Sequence, residues 1–305
     1  TLFCHRDYAH GARHSRPSSV ASRANARGID AFYNLALEDR GNKGHRMTYL
    51  RVLWRGLRLV LHVLLGAVLT PIIVTRQVSG EMRTHAEITS WWHNRLADVL
   101  GVQITVTGYR PHAPALLVSN HVSWLDIVVL GGLTHTDFLS KYEIREWPLI
   151  GWLAARSGTL FIRRGHGEAG AISEQIAQRL REKRILTLFP EGTTTDGREV
   201  RPFFSRLFGA ALDTGTDVVP VALRYHIDGE HDPVAPYTDQ QSLGENLLGL
   251  ILRRRTTVHV VFGEPIVLQG HSRKQIAELA RGNILHALQD PIQRPLACDP
   301  ARAAG

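Results

Sequence analysis

The stretch ALLVSNHVSWLDIVVLGGL, residues 115–133, decides how this chain folds. Its first five residues are apolar or small and end at Ser119, which is typical of a short buried strand. Apolar residues dominate again from Trp124, and Ser123 stands where a side-chain oxygen commonly caps a helix. We therefore predict a strand, a polar loop and a helix that runs from Trp124 to about Leu133.

Strands and helices continue to alternate downstream of this stretch. Short apolar runs predict strands, and apolar residues at helical spacing, such as Ile172, Ile176 and Leu180, predict helices between them. This alternation favours an α/β sheet with helices on its faces, in which ligands bind beyond the strand ends. The predicted strands are 102–106, 115–119, 138–140, 159–162, 185–189, 218–224 and 257–262, and the predicted helices are 124–133, 169–180, 207–214 and 273–288.

A histidine and an aspartate, His121 and Asp126, stand five residues apart across the predicted loop. The spacing alone is not specific, because the chain has 16 histidines and repeats it at His93 and Asp98. Those two lie inside a predicted helix, where five steps of about 100° place them on different faces. His121 lies on a loop instead, within reach of a carboxylate in the first helical turn. A histidine held in this way is a general base that can take a proton from a hydroxyl.

Other interpretations of this segment stay open. Ser123 and Asp126 could form a variant capping box, which would leave His121 as an ordinary loop residue. No second histidine stands at ligand spacing, so we predict no metal site. The chain has no G-x-S-x-G nucleophile elbow and no plausible serine nucleophile. If His121 catalyses, a substrate hydroxyl should therefore attack directly.

Two further loops follow predicted strands and should meet the histidine at the same sheet edge. Arg163 and Arg164 end one strand, and a guanidinium can bind a phosphate through two hydrogen bonds. Glu191, Gly192 and Thr193 follow another strand in a turn whose hydroxyl and backbone N–H groups suit an anion. Taken singly, each loop is more often an ordinary strand end or turn. A carboxylate between proline and glycine, however, suggests a hydrogen-bonded clamp.

The region before the sheet is apolar and basic. Leu59 to Val74 are sixteen residues without formal charge, which is short of the roughly 20 that cross a membrane. Arg51, Arg55 and Arg58 precede this run, and such basic flanks suit a helix that lies in or dips into a membrane face. A second, amphipathic helix is predicted over 81–100. Ordinary core helices are the alternative interpretation of both segments.

Composition divides the chain further. No apolar period persists before Met47, the first methionine, so the segment before it is expected to be disordered or a mis-called upstream extension. The resulting domain assignment is 1–46 as that segment, 47–100 as membrane-associated helices, 101–289 as the catalytic domain and 290–305 as a loose tail.

The charge balance favours an anionic partner. The chain has 36 basic and 28 acidic residues, a net charge of +8, with 44% hydrophobic residues as in globular proteins. We predict no nucleic-acid partner, because the longest basic run is Arg253 to Arg255 and no basic stripe is interleaved with aromatic residues. The two cysteines, Cys4 and Cys298, match neither a disulfide scaffold nor a zinc site.

Four strings of sequence are specific when taken together and in order. They are NHVSWLD at 120–126, FIRR at 161–164, FPEGT at 189–193 and VVPV at 218–221. They resemble the four motifs of the glycerolipid acyltransferases, specifically the bacterial 1-acyl-sn-glycerol-3-phosphate acyltransferases. The resemblance covers roughly residues 47–267. It implies a mixed, mostly parallel sheet flanked by helices and preceded by a membrane-associated helix pair.

The resemblance also implies a reaction. A fatty acyl group would move from acyl-CoA or acyl-carrier-protein to the free hydroxyl of 1-acyl-glycerol-3-phosphate and give phosphatidic acid, with no other cofactor. The enzyme would lie at the bacterial inner membrane with its catalytic domain on the cytoplasmic side. By the same resemblance the base is His121 and its partner is Asp126, the acceptor's phosphate is held by Arg163, Glu191, Gly192 and Thr193, and the pocket is shaped by Pro220.

One position departs from the family's pattern. Arginine often follows FPEGT in the family, and Thr194 stands there in this chain. The missing guanidinium keeps another lysolipid, such as lyso-ornithine lipid, as an alternative acceptor. A non-catalytic protein that binds anionic lipid is a hypothesis of another class, and it would need neither the histidine nor the aspartate. Three arginines could replace the missing one: Arg198, Arg201 and Arg206.

Overall fold

Eight strands form one mixed sheet in the computed structural model of this chain, which describes residues 42–78, 82–163, 169–238 and 241–290. The strands are β1 (Val102–Thr107), β2 (Ala115–Ser119), β3 (Thr136–Lys141), β4 (Leu160–Ile162), β5 (Ile185–Leu188), β6 (Val218–Ile227), β7 (Glu230–His231) and β8 (Thr256–Phe262). Their order across the sheet is β1-β8-β6-β2-β5-β3-β4, and the short β7 pairs with β6.

Five strands run in the same direction. Each neighbouring pair among β6, β2, β5, β3 and β4 is parallel. Strand β8 runs antiparallel to β6 and parallel to β1. The carboxyl ends of the five parallel strands therefore share one edge, and the predicted mixed, mostly parallel sheet is confirmed.

Helices cover both faces of the sheet. On one face Leu117 and Leu223 pack with α2, α3 and α8, and on the other Leu116 and Val118 pack with α6, α7 and α9. Strand β2 is apolar at nearly every position because both of its faces are covered. The helices are α1 (Asn42–Val78), α2 (Met82–Leu100), α3 (Leu125–Thr134), α4 (Tyr142–Arg145), α5 (Ile150–Arg156), α6 (Ala169–Arg181), a 3₁₀ turn (Ser205–Phe208), α7 (Gly209–Thr214), α8 (Leu243–Leu252) and α9 (Arg273–Gln289).

Every strand and helix predicted between residues 102 and 288 is present, with ends shifted by one to three residues at most. Four elements were not predicted: α4, α5, β7 and α8. Helix α8 had a signal in the sequence, since Ser242 and Glu245 form a capping box before an apolar run. The short α4 and α5 leave too few residues for a helical period to show.

Helix α1 is longer than the uncharged run that the sequence suggested. It continues through Pro71 to Val78, and by length and composition its segment Met47–Pro71, 25 residues long, could cross a membrane. The arginines within it do not interrupt its outer face, because they lie on the opposite side of the helix. That outer face exposes the apolar side chains of Leu50, Leu53, Trp54, Leu57, Val60, Leu61, Leu64, Leu65 and Val68.

Two of the arginines predicted to flank a membrane bind protein instead. Arg51 donates a hydrogen bond to the carbonyl of Leu252 (3.0 Å) at the end of α8. Arg55 binds the neighbouring carbonyls, of residues 251, 253 and 254. The last carbonyls of a helix lack partners within it and carry the negative end of its dipole. These two side chains therefore hold α1 against the end of α8, a role that the sequence did not predict for them.

Helix α2 packs between α1 and the sheet. Trp92 stacks on His62 of α1 with ring centroids 4.8 Å apart, and a Cβ on Gly66 would lie 2.7 Å from the Trp92 Nε1 atom. Ser90 donates to the carbonyl of Gly131 in α3 (2.7 Å). The predicted helix pair is therefore present. In the part of the chain that the structure describes, α1 alone is long and apolar enough to cross a membrane.

Candidate active site

The side chain of Asn120, which follows β2, makes the hydrogen bonds to β6 that a strand backbone would make. The amide of Asn120 donates to the carbonyl of Leu223 (3.0 Å) and accepts from the N–H of Leu223 (2.8 Å). Pairing with β6 therefore continues one residue beyond Ser119. An aspartate here would lack the donor. His121 consequently leaves the sheet at a fixed point on the carboxyl edge.

His121 and Asp126 form the contact that their spacing predicts. The Nδ1 atom of His121 lies 2.8 Å from Oδ2 of Asp126, whose side chain is fully buried. The imidazole stacks on Phe189 with centroids 4.0 Å apart, and 18% of the histidine side chain stays exposed. The carboxylate assigns the proton to Nδ1, which leaves Nε2 as the nitrogen able to take a proton from a substrate.

The same carboxylate oxygen orders the loop. Oδ2 of Asp126 accepts the backbone N–H groups of Val122 (2.7 Å) and Ser123 (3.0 Å). The prediction that Ser123 caps α3 is wrong: the cap residue is Trp124, and the buried Ser123 hydroxyl has no hydrogen-bond partner among the described residues. The capping-box interpretation is therefore wrong, because Asp126 supplies the acceptor for these N–H groups and binds the His121 imidazole through the same oxygen.

Glu191 holds the backbone of the histidine. Its carboxylate accepts the N–H of His121 (2.8 Å) on one oxygen and the N–H of Arg201 (2.7 Å) on the other. Burial raises the pKa of Glu191, and the two backbone donors partly oppose that rise. The N–H of Thr195 donates to the carbonyl of His121 (2.8 Å). The expected clamp is thus present and grips protein backbone, while contact of Glu191 with an acceptor stays a prediction.

The glycine turn is partly closed on itself. Gly192 adopts φ +69°, which favours glycine, and its N–H donates to the carbonyl of Phe189 (3.0 Å). This N–H group is therefore used within the turn. The side chain of Thr193 is half-exposed on the same turn. An anion-binding role for the two residues stays a prediction.

Arg163 lies at the carboxyl edge of the sheet, as predicted, but at a distance from His121. It follows β4, which is the outermost strand and three strands from β2, or about 14 Å at ordinary strand spacing. Its exposed guanidinium lies 3.7 Å from the centroid of the Tyr142 ring. Arg164, the neighbouring arginine of the motif, lies outside the described residues.

Pro220 sits below the edge, within the sheet. It is buried in β6 level with Val118, and its carbonyl accepts the N–H of Gly263 (2.8 Å). Proline cannot return that hydrogen bond, and β8 ends at this point. Its part in shaping a pocket stays a prediction.

Sequence reasoning missed one member of the site. The hydroxyl of Tyr225, on β6, donates to Oδ1 of Asp126 (2.8 Å). Alternation along β6 could have placed this side chain on the same face as Val219, Val221 and Leu223. Nothing in the sequence indicates that its partner stands 99 positions away.

A second missed feature is the wall behind the loop. Trp124 donates from Nε1 to Oδ1 of Asn246 in α8 (2.9 Å), and the N–H of Tyr237 donates to the carbonyl of Val122 (2.9 Å). The amide of Asn246 also binds the carbonyls of residues 234 and 236. Helix α8 and the chain before it therefore support the His121–Asp126 loop from one side.

The second His–Asp pair of equal spacing makes no such site. His93 is buried in α2, where burial lowers its pKa to about 4, and Asp98 pairs instead with Arg95 (3.7 Å). Across the described ranges, no three His, Cys, Asp or Glu side chains come together as a metal site would require.

Comparisons with known proteins identify a family, several relatives and a solved structure of the same fold. Residues 102–224 match the family described as Acyltransferase. The chain is 42% identical over 245 residues to a lyso-ornithine lipid O-acyltransferase of Pseudomonas aeruginosa, covering 79% of this chain and 95% of that protein. It is 29% identical over 200 residues to a 1-acyl-sn-glycerol-3-phosphate acyltransferase of Neisseria meningitidis, covering 65% and 74%. The crystal structure of the 1-acyl-sn-glycerophosphate acyltransferase of Thermotoga maritima has the same fold, with a TM-score of 0.54 at 19% identity over 77% of this chain and 96% of that one.

Proposed function

The chain belongs to the acyltransferase family, and from that membership we propose that it transfers a fatty acyl group from an acyl thioester to the free hydroxyl of lyso-ornithine lipid. The observation that supports the reaction is the buried Asp126 carboxylate on Nδ1 of His121, with Nε2 left for a substrate. The relative that is 42% identical over nearly its whole length supports the acceptor.

The proposed mechanism needs no covalent enzyme intermediate. Nε2 of His121 takes the proton of the acceptor hydroxyl as its oxygen attacks the thioester carbonyl carbon. The carbon–sulfur bond then breaks, and the thiolate leaves with the proton that the imidazolium returns. The buried carboxylate of Asp126 stabilises the transient imidazolium, while Glu191 and Thr195 keep the histidine backbone in place.

The acceptor assignment replaces the one that the motifs first suggested. Thr194 precedes Thr195, whose N–H binds the carbonyl of His121, so position 194 adjoins the catalytic loop. An arginine there would bring a cation close to the reacting hydroxyl, and threonine brings none. An ornithine head group carries a carboxylate and an ammonium and needs less positive charge than a phosphate monoester. Arg163 is then the cation proposed for the carboxylate.

Lysophosphatidic acid is the second candidate acceptor. The relative from Neisseria named for it is 29% identical, and the exposed Arg163 could serve a phosphate as well as a carboxylate. The acyl donor, acyl-CoA or acyl-carrier-protein, stays a prediction. So does a further site contribution from Gly192, Thr193 and Pro220.

The proposal includes association with a membrane. Helix α1 turns polar side chains toward the protein and its long apolar face outward, the reverse of a helix in a water-soluble domain. Burying that face in lipid would remove it from water. Placement at the bacterial inner membrane, with the catalytic domain on the cytoplasmic side, stays a prediction.

The test is an acceptor competition. Purified full-length protein in lipid vesicles receives acyl-CoA or acyl-carrier-protein, with lyso-ornithine lipid and lysophosphatidic acid of matched chain length, and each product is quantified by mass spectrometry. We expect the higher kcat/KM with lyso-ornithine lipid. Preference for lysophosphatidic acid would overturn the acceptor alone. Vesicle binding without transfer to either acceptor would favour the non-catalytic lipid-binding hypothesis.

Two histidine variants test the mechanism in the same assay. His121→Ala should lower kcat by roughly a hundredfold to ten-thousandfold, as loss of a general base does. His93→Ala should keep most activity, because that buried histidine lies in α2 and its five-residue partner pairs elsewhere. Equal losses from the two substitutions, in proteins with matched thermal unfolding, would contradict the assignment of His121.

A further inference from the structure

Tyr225 reaches the catalytic pair from the far side. It lies on β6 with 3% of its surface exposed, and its hydroxyl donates to Oδ1 of Asp126 at 2.8 Å. It touches neither the imidazole nor the open edge in any hydrogen bond of the described residues. Any part that it plays in the reaction must therefore pass through the carboxylate.

The two oxygens of Asp126 have different partners. Oδ2 accepts three N–H groups, from the imidazole of His121 and from the backbone of Val122 and Ser123. Oδ1 accepts the tyrosine hydroxyl. Because the side chain is fully buried, bulk water cannot replace that hydroxyl without a local opening of the structure.

The tyrosine is a permanent donor at this position. Burial, together with the adjacent Asp126 carboxylate, raises the pKa of Tyr225 well above its ordinary value. The hydroxyl therefore keeps its proton throughout the range in which enzymes work. A permanent donor on Oδ1 opposes rotation of the carboxylate about the Cβ–Cγ bond of Asp126. Oδ2 therefore stays in contact with Nδ1 of His121.

We propose that Tyr225 is a positioning residue of the acyl transfer, which holds the Asp126 carboxylate in the orientation that fixes the His121 imidazole. This inference rests on the proposed role of His121 as the general base. The tyrosine exchanges no proton and forms no bond with substrate. Its contribution is to keep the imidazole aimed, so it should act on the chemical step and not on substrate binding.

The first test is Tyr225→Phe, which removes the hydroxyl and keeps the ring. We expect kcat to fall by about tenfold to a hundredfold, because small displacements of a catalytic group cost rates of this order. KM for acceptor and thioester should change by less than about twofold, since neither substrate touches this buried side chain. An unchanged kcat, or a loss confined to KM, would overturn the proposal.

A double-mutant cycle separates positioning from a general effect on the fold. In an Asp126→Ala background the carboxylate is already gone, so Tyr225→Phe should cost much less than in the wild type. A tyrosine that acts only by packing would cost the same in both backgrounds, and that result would refute the proposal. Tyr109→Phe is the matched control, because that hydroxyl lies on an exposed side chain beside His112.

Two precautions keep the outcomes distinct. Should Tyr225→Phe fail to fold, 4-fluorophenylalanine incorporated at position 225 keeps the ring and fills most of the volume of the hydroxyl without its donor, and it should lower kcat without changing KM. An unchanged kcat would again count against the proposal. Failure of the proposed function is a separate result, in which His121→Ala is as active as the wild type. An inactive His121→Ala beside a fully active Tyr225→Phe overturns this inference alone.

Discussion

Replacing Glu191 with glutamine distinguishes two accounts of this carboxylate. The family resemblance implies that it binds the acceptor, whereas in the structure its two oxygens accept the N–H groups of His121 and Arg201. Glutamine has the same shape but one acceptor, so one backbone N–H would face an NH₂ group and lose its partner. A hydrogen bond to a charged group contributes about 1.5–3 kcal/mol, and relief of the burial penalty on the carboxyl offsets part of that loss.

We therefore expect Glu191→Gln to lower the free energy of unfolding by about 1–2 kcal/mol, which lowers Tm by roughly 2–8 °C for a domain of this size. It should also lower kcat by about tenfold or more, because the backbone of the histidine loses a tether. Thermal unfolding and steady-state kinetics measure the two effects. Glu199→Gln, an exposed carboxylate on the same loop, is the control and should change neither. A raised KM for the acceptor, with kcat and Tm unchanged, would refute the clamp and would favour the interpretation in which Glu191 binds the acceptor.

Three further substitutions test other parts of the structure. Arg163→Ala should lower kcat/KM for the acceptor by about tenfold to a hundredfold and leave the thioester KM unchanged, with Arg145→Ala as the control beside the same aromatic ring; equal effects on both substrates would remove Arg163 from the head-group site. Arg55→Ala should lower the free energy of unfolding in detergent by about 1–3 kcal/mol, because it removes the donors to the carbonyls of residues 251, 253 and 254 and leaves Arg51 alone at the end of α8, and Arg58→Ala should cost less. Burial raises the pKa of Asp137 from 3.8 to about 6 despite the arginines beside it, so the folded chain binds this proton more tightly than the unfolded chain does. Its contribution to stability should fall as pH rises from about 4 to 6, and urea titrations of Asp137→Asn should lack that slope.

The sequence predicted the structure correctly where the evidence lies within a few neighbouring residues. Strand β2 and helix α3 were predicted because an apolar run and a helical period adjoin a polar loop, and the His121–Asp126 contact spans only five residues. The shared edge of the loops also followed from the strand–helix alternation. The order of strands did not, because pairing depends on contacts between distant segments. That order places β4 outermost and so sets Arg163 apart from the histidine.

The contacts of the site that were missed are those made with distant partners, and this includes the partners of Glu191, which was itself predicted as a hydrogen-bonded clamp. Glu191 binds the backbone 70 positions away, Tyr225 binds a carboxylate 99 positions away, and Asn120 binds a backbone 103 positions away. Neither the amino-acid composition nor the spacing of apolar residues indicates which distant residues form such pairs. The sequence gives the residue types that can accept or donate, and the fold alone decides which of them meet.

Helix α8 shows why an element without catalytic residues can still matter for the site. At its carboxyl end it receives Arg51 and Arg55 from the membrane-type helix α1. In its first turns Asn246 accepts the indole N–H of Trp124, which stands three residues after His121, the proposed general base. One short helix of ten residues therefore holds both the apolar helix and the catalytic loop. If the proposed transfer to a lipid acceptor takes place at a membrane, the base must lie at a suitable height above the lipid, and hydrogen bonds from α1 and from the His121 loop to one helix would fix that height.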